Sequence, residues 1–109
     1  MSEIQRYPAT IASHAIPTVA NIAQAKPIEF GNFSDGAIEI ASGGGTTLSF
    51  YGTTVKNGTV VPIYDHENNQ VQRTVASGRG YQFPPECFGF VQLYIVADAA
   101  LVANISLKA

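Results

Sequence analysis

An all-β fold is predicted, a single antiparallel β-sandwich of jelly-roll-like form with about seven or eight short strands and an N-terminal extended arm. Three observations lead there. From Ile28 onward apolar and polar residues alternate with the period of a strand. Turn signals recur roughly every eight to twelve residues, as sandwiches and barrels require. At 109 residues the chain has the size of one domain with one core, able to bury roughly two-thirds of its unfolded surface.

The expected division is an arm over residues 1–27 and a sandwich over 28–109. Pro8, Pro17 and Pro27 punctuate the first part. Pro17 interrupts a weak helical pattern over residues 11–25, because proline removes a backbone donor and clashes with the preceding turn. This leaves either a short helix over Thr18 to Ala25, with Thr18 near the cap, or an extended arm. An arm so rich in Ala and Ile needs cover, from its own sandwich or from a neighbouring subunit. As an arm it should be removable, residues 1–25, without unfolding the sandwich.

Ile28–Phe30 and Ala37–Ile40 read as two strands around the Ser34-Asp-Gly turn signal. Ser42-Gly-Gly-Gly45 reads as a bend between sheets. In Leu48–Tyr51, Leu48 and Phe50 share the core face. Asn57-Gly58 is the strongest hairpin signal, joining this strand to Val60–Tyr64. Glu67-Asn-Asn69 turns the chain into Val71–Val75, and Ser77-Gly-Arg-Gly80 turns it again. Phe83-Pro-Pro-Glu-Cys-Phe88 carries two prolines that cannot donate to a ladder, so it should cross an end of the sandwich. Phe90–Val96 and Leu101–Leu107 should form the last hairpin about Asp98–Ala100. Leu48, Phe50, Ile63, Val75, Val91, Leu93 and Ile95 are expected to point inward.

Charged residues make up 13% of the chain, about half the usual ~25%. A surface this neutral suits one partly covered by partners. The formal charge is −2, and the six basic residues are scattered, with no stripe to track phosphates; nucleic acid is not an expected partner. The start of the chain lacks the cationic and apolar regions of a secretory signal. Its most apolar window, residues 88–107, is broken by Gln92, Asp98 and Asn104, which argues against a membrane span. A soluble protein without export is expected.

Catalytic chemistry finds little support. Asp65, His66 and Glu67 lack the spacing of a metal site and read as a solvated turn. Cys87, the single cysteine, sits in an apolar stretch with no cation to activate it and reads as a buried, inert thiol. The Ser42–Thr46 glycine run lacks the Gly-Lys-Ser/Thr ending of a phosphate loop. No catalytic residue, metal or cofactor is expected, and no enzyme. Tyr51, Tyr64, Tyr81 and Tyr94 remain, as core or edge packing or as an exposed face that stacks on sugar rings or lines a subunit interface.

At Leu48-Ser-Phe-Tyr-Gly52, Pro62-Ile-Tyr-Asp65, Val75–Pro84, Leu93–Ala97 and Ile105–Lys108 the chain resembles small tailed-bacteriophage proteins. These are short β-sandwich proteins associated with virion structural genes, some of them capsid decoration, or cement, proteins. The resemblance covers residues 28 to the C-terminus. It implies a non-enzymatic virion component, made in the host cytoplasm, that binds the outer capsid surface and stabilises contacts between coat subunits. The implied partner is the major capsid protein, with a homotrimer as the favoured assembly. On this reading the contact falls on Ile4, Tyr7, Ile11, Ile16, Val19 and Ile22 of the arm, with Phe83, Phe88 and the Ser42–Gly45 loop. The alternative is a carbohydrate-binding module of a phage tail appendage, stacking sugars on Tyr51, Tyr64 and Tyr94.

Overall fold

Strands that follow one another in sequence lie mostly in opposite layers, and this single fact arranges the molecule. The computed structural model describes residues 10–108 except Asn32 and Ser34. Within them nine strands form: β1 (Thr10–Ile16), β2 (Ile28–Glu29), β3 (Asp35–Gly43), β4 (Thr47–Thr53), β5 (Val61–Pro62), β6 (Gln72–Thr74), β7 (Gly80–Gln82), β8 (Gln92–Ala97) and β9 (Leu101–Lys108). One antiparallel sheet has the order β1-β9-β3-β7; the other has β2-β8-β4-β5, with β6 also on β4. β5 pairs with Tyr51 and Gly52, and β6 with Thr47 to Ser49, so the two share one edge of β4. Counted as one broken strand, they complete the two four-stranded layers of a jelly roll.

Alternation fills the space between the layers. On β9, Leu101, Ala103, Ile105 and Leu107 are buried while the residues between them are half-exposed. Ile38 and Ile40 of β3 meet them from the same layer; Leu48 and Phe50 of β4 and Leu93 and Ile95 of β8 come from the other. Phe30 packs edge-on against Phe83 at 5.2 Å and stacks on Phe88 at 5.0 Å. Truncating Phe30 or Phe83, the buried rings of this trio, to alanine should cost about 3–5 kcal/mol each. Six of the seven residues expected to point inward are buried. Val91, just before β8, is half-exposed and lies outside the core, beside Gly31 at the sheet's margin.

The leading segment takes the first of its two expected placements. Residues 10–27 lie on the chain's own sandwich, and Thr10–Ile16 is a strand rather than a free arm. It pairs along its whole length with β9, from Thr10 opposite Leu107 to Ile16 opposite Leu101. The helix expected over Thr18 to Ala25 is a 3-10 segment, Val19–Gln24, with a non-helical kink at Asn21. It is pinned at its start, where the Ala97 amide donates to the Pro17 carbonyl and Thr18 bridges Ala97. So short a segment has too few internal bonds to hold a regular α-helix.

The last two strands are not a hairpin. β8 pairs with β2 and β4, whereas β9 pairs with β1 and β3 in the other layer. Asp98–Ala100 is therefore a crossover between layers. Its carboxylate accepts bonds from the Thr46 and Thr47 amides at 2.7 and 3.1 Å and from the Thr46 hydroxyl at 2.6 Å. Thr46 belongs to the other nearby crossover, the glycine bend from β3 to β4, so the two corners are tied together. The bend itself is as expected. Gly43 has φ +113°, and a Cβ there would stand 2.5 Å from the Leu101 backbone, which only glycine tolerates.

The two-proline stretch also crosses between layers, as a 3-10 turn over Pro85–Gly89 leading from β7 to β8. β7 itself was not anticipated: its burial alternates weakly, and it is recognised by pairing with Ala37 to Glu39.

Candidate functional site

The outer face of the second sheet gathers the unusual surface chemistry. β4 and β8 are nearly buried on both faces, with Ser49, Thr53, Gln92 and Val96 covered from outside. Val19–Gln24 packs against β8 and provides part of that cover. On this face Tyr51 and Tyr94 stand directly opposite each other, and Pro62 opposes Tyr51 on the far side. Tyr51, Tyr94, Ile22, Ala23, Ala25 and Val60 line an apolar pocket of about 330 Å³.

The loop beyond β4 extends this face. Gly58 closes a turn by donating to the Val55 carbonyl, and Asn57 adopts φ +58°, the left-handed region that Asn tolerates. The chain resumes as a strand only at Val61, so Asn57-Gly58 marks a longer loop than the tight two-residue hairpin expected. Val55 is 62% exposed, Val60 37%, Val61 41% and Tyr64 51%. These are the exposed large apolar side chains among the described residues, and they fall within ten consecutive positions. Exposed apolar groups scattered singly need no explanation; a cluster of them marks an interaction surface.

Gln92 anchors the loop from below. Fully buried on the same face, its carbonyl accepts from the Asn57 amide at 2.8 Å and the Thr53 hydroxyl at 3.3 Å, and its amide donates to Glu29 at 2.8 Å. Every polar atom of this buried side chain is thus engaged, as burial demands.

The residues assigned to a partner contact scatter. Ile16 and Phe83 are core residues of the chain itself, because β1 is a strand and Phe83 meets Phe30 and Phe50. Phe88 is half-buried against the same aromatic group. Ile22 reaches the surface pocket. Ile11 stands in β1 opposite Ser106, and Val19 opens the 3-10 segment; Ile4 and Tyr7 lie outside the described residues. Periodicity could not find the Val55–Tyr64 cluster, since the loop has none. The only signal was an Asn-Gly turn flanked by valines.

Titratable groups elsewhere among the described residues lie apart from one another. Cys87 is fully buried, and burial, then the Glu86 charge, push its thiol up to about 12. Burial, then Lys26, hold the His14 imidazole below its ordinary value on β1. Asp65 caps the turn that carries His66, its carboxylate accepting from the Glu67 and Asn69 amides at 2.9 Å each. Among the described residues no three His, Cys, Asp or Glu side chains come together as a metal cage would need, and no helix is long and apolar enough to cross a membrane.

No protein-family model matches the chain, and no curated protein matches it. Among solved structures it is similar to the SPBc2 prophage-derived protein YomS, at 13% identity and a TM-score of 0.52, over 97% of this chain and all of that one. That likeness establishes a shared fold along both chains. A structure reported under the heading of Bacillus endospore appendages, a family of disulfide-linked pili, overlaps at 18% identity and a TM-score of 0.39, over 99% and 96%. An overlap that loose carries no argument about function.

Proposed function

We propose that this chain is a non-enzymatic structural protein of a phage particle, a decoration protein that binds the major capsid protein on the outer shell and bridges coat subunits. The observation that carries the reading is the set of exposed apolar side chains at Val55, Val60, Val61 and Tyr64, gathered within ten positions of a loop whose Asn57 is bonded to the buried Gln92. A prophage-derived protein with the same fold over its entire length supports the setting. Low charge suits a surface that spends its life against another protein.

The contact on this reading is the Val55–Tyr64 loop with Ile22, in place of the core residues Ile16 and Phe83. An interface of about 800 Å² per partner is a standard specific contact. Binding of that kind stabilises only the assembled shell, by linkage. Three copies at a junction between capsomers would engage together, and avidity would then exceed any single contact.

The test mixes purified protein with particles stripped of it, pellets the particles and quantifies bound protein by mass spectrometry. Val60→Asp combined with Val61→Asp places two charges among these exposed side chains and should reduce occupancy at least about tenfold, the effect of roughly 1.4 kcal/mol. Occupancy equal to that of the unaltered protein overturns the assignment.

A further inference from the structure

A second surface, which adjoins the apolar loop at Tyr64 but does not include its exposed side chains, carries different chemistry. Where β6, at the edge of one layer, faces β7, at the edge of the other, lies a cleft of about 360 Å³. Asp65, Gln70, Gln72, Arg73, Gln82 and Glu86 line it. Its size is that of a small-molecule site.

Several of these groups are held in place by bonds that leave part of their capacity unused. Asp65 Oδ1 accepts two backbone amides, which fixes the carboxylate, and Oδ2 accepts no bond from another described residue. The Gln72 amide donates to Oγ of its cross-strand partner Ser49 at 3.0 Å, and its side-chain oxygen accepts no bond from another described residue. The Arg73 guanidinium lies 5.2 Å from the centre of the Tyr81 ring, whose hydroxyl in turn accepts from the Ala76 amide at 2.9 Å. Gln70, Gln82 and Glu86 make no side-chain hydrogen bond to another described residue.

We infer that this cleft binds a neutral polyhydroxylated ligand, the sugar ring of a glycan. Carboxylates only accept, guanidinium only donates, and glutamine does both. Hydroxyl groups, which donate and accept at once, match that mixture. An anion would meet two carboxylates against one guanidinium. A bare metal ion would meet Arg73, and among the described residues no three ligating side chains gather. Pro84 and Pro85 add a rigid apolar surface for the C–H face of the ring. The site is distinct from the Tyr51, Tyr64 and Tyr94 platform that the sequence suggested, and it does not rest on the capsid reading.

The full-length protein is applied to an array of neutral oligosaccharides, glucose, galactose, mannose and N-acetylglucosamine oligomers, beside sialylated and sulfated ones. Bound glycans are then titrated by NMR. Saturable binding of a neutral glycan is expected, with shifts in the Gln70 and Gln82 side-chain amides. Gln70→Ala with Gln82→Ala should weaken it at least about tenfold, as expected on losing two hydrogen-bonding amides. Val60→Asp with Val61→Asp should bind the glycan as the unaltered protein does, so the two readings fail separately. Absence of neutral-glycan binding, binding confined to the charged glycans, or amide shifts that leave Gln70 and Gln82 unmoved would each overturn the inference.

Discussion

Gln92 is a buried amide whose partners belong to three different elements: Glu29 on β2, Thr53 on β4 and Asn57 in the loop. Gln92→Leu keeps most of the volume but strands the buried Thr53 hydroxyl and releases the exposed residues Asn57 and Glu29 from their bonds. An unsatisfied buried group costs about 1–3 kcal/mol, so urea unfolding should show a loss of that size. The same variant should loosen the loop that carries Val55, Val60 and Val61. Cys87 makes the opposite case, a group kept silent by its surroundings. With its thiol pushed up to about 12 and no exposure, it stays protonated at neutral pH. A thiol reagent should leave the native protein unmodified and label one cysteine per chain after denaturation; rapid native labelling would contradict the core placement.

Between strands, the corners decide which layer each strand joins. Asp98 holds two of them together, and its bonds, first to the Thr46 hydroxyl and then to the Thr46 and Thr47 amides, lower its carboxyl from 3.8 to about 2. A folded-state value below the unfolded one means the contribution is fully present above about 3.8 and fades as pH falls toward 2. Asp98→Asn keeps the shape and removes the charge. Its Tm should lie below that of the unaltered protein at pH 7, and the two Tm curves should converge as pH approaches 2. The three-residue spacing around Asp98 reads in the sequence as a hairpin turn, because length alone cannot tell a turn within a sheet from a corner between sheets. Strands with strong alternation, such as Leu48–Tyr51 and Leu101–Leu107, were legible because one face of each is apolar. β1 was not: its Thr-Ile-Ala-Ser-His-Ala-Ile sequence is too mixed to declare a face, and only the ladder to β9 reveals it. The candidate surface was less legible still, since exposure within a loop follows from tertiary placement and leaves no periodic trace.

For the molecule as a whole, the leading segment is structural. Deleting residues 1–25 removes Ile16 and Ala25 from the buried set and takes away all seven backbone pairs between β1 and β9. The expected loss is at least about 5 kcal/mol, comparable with the entire stability of a small domain. Circular dichroism and the loss of a cooperative melt would show it; a truncated protein melting like the full chain would mean that β1 merely rests on the sheet.

The central position of β9 also sets a timetable. β1 leaves the ribosome well before its partner, Leu101–Lys108, so Thr10 must wait for Leu107 before either is paired. Most of β3 waits for the same strand. One layer of the sandwich therefore closes only when β9 arrives and inserts between two strands already made. Until then those strands offer unpaired edges to other nascent chains, and a cell making many copies would depend on chaperones to keep them apart.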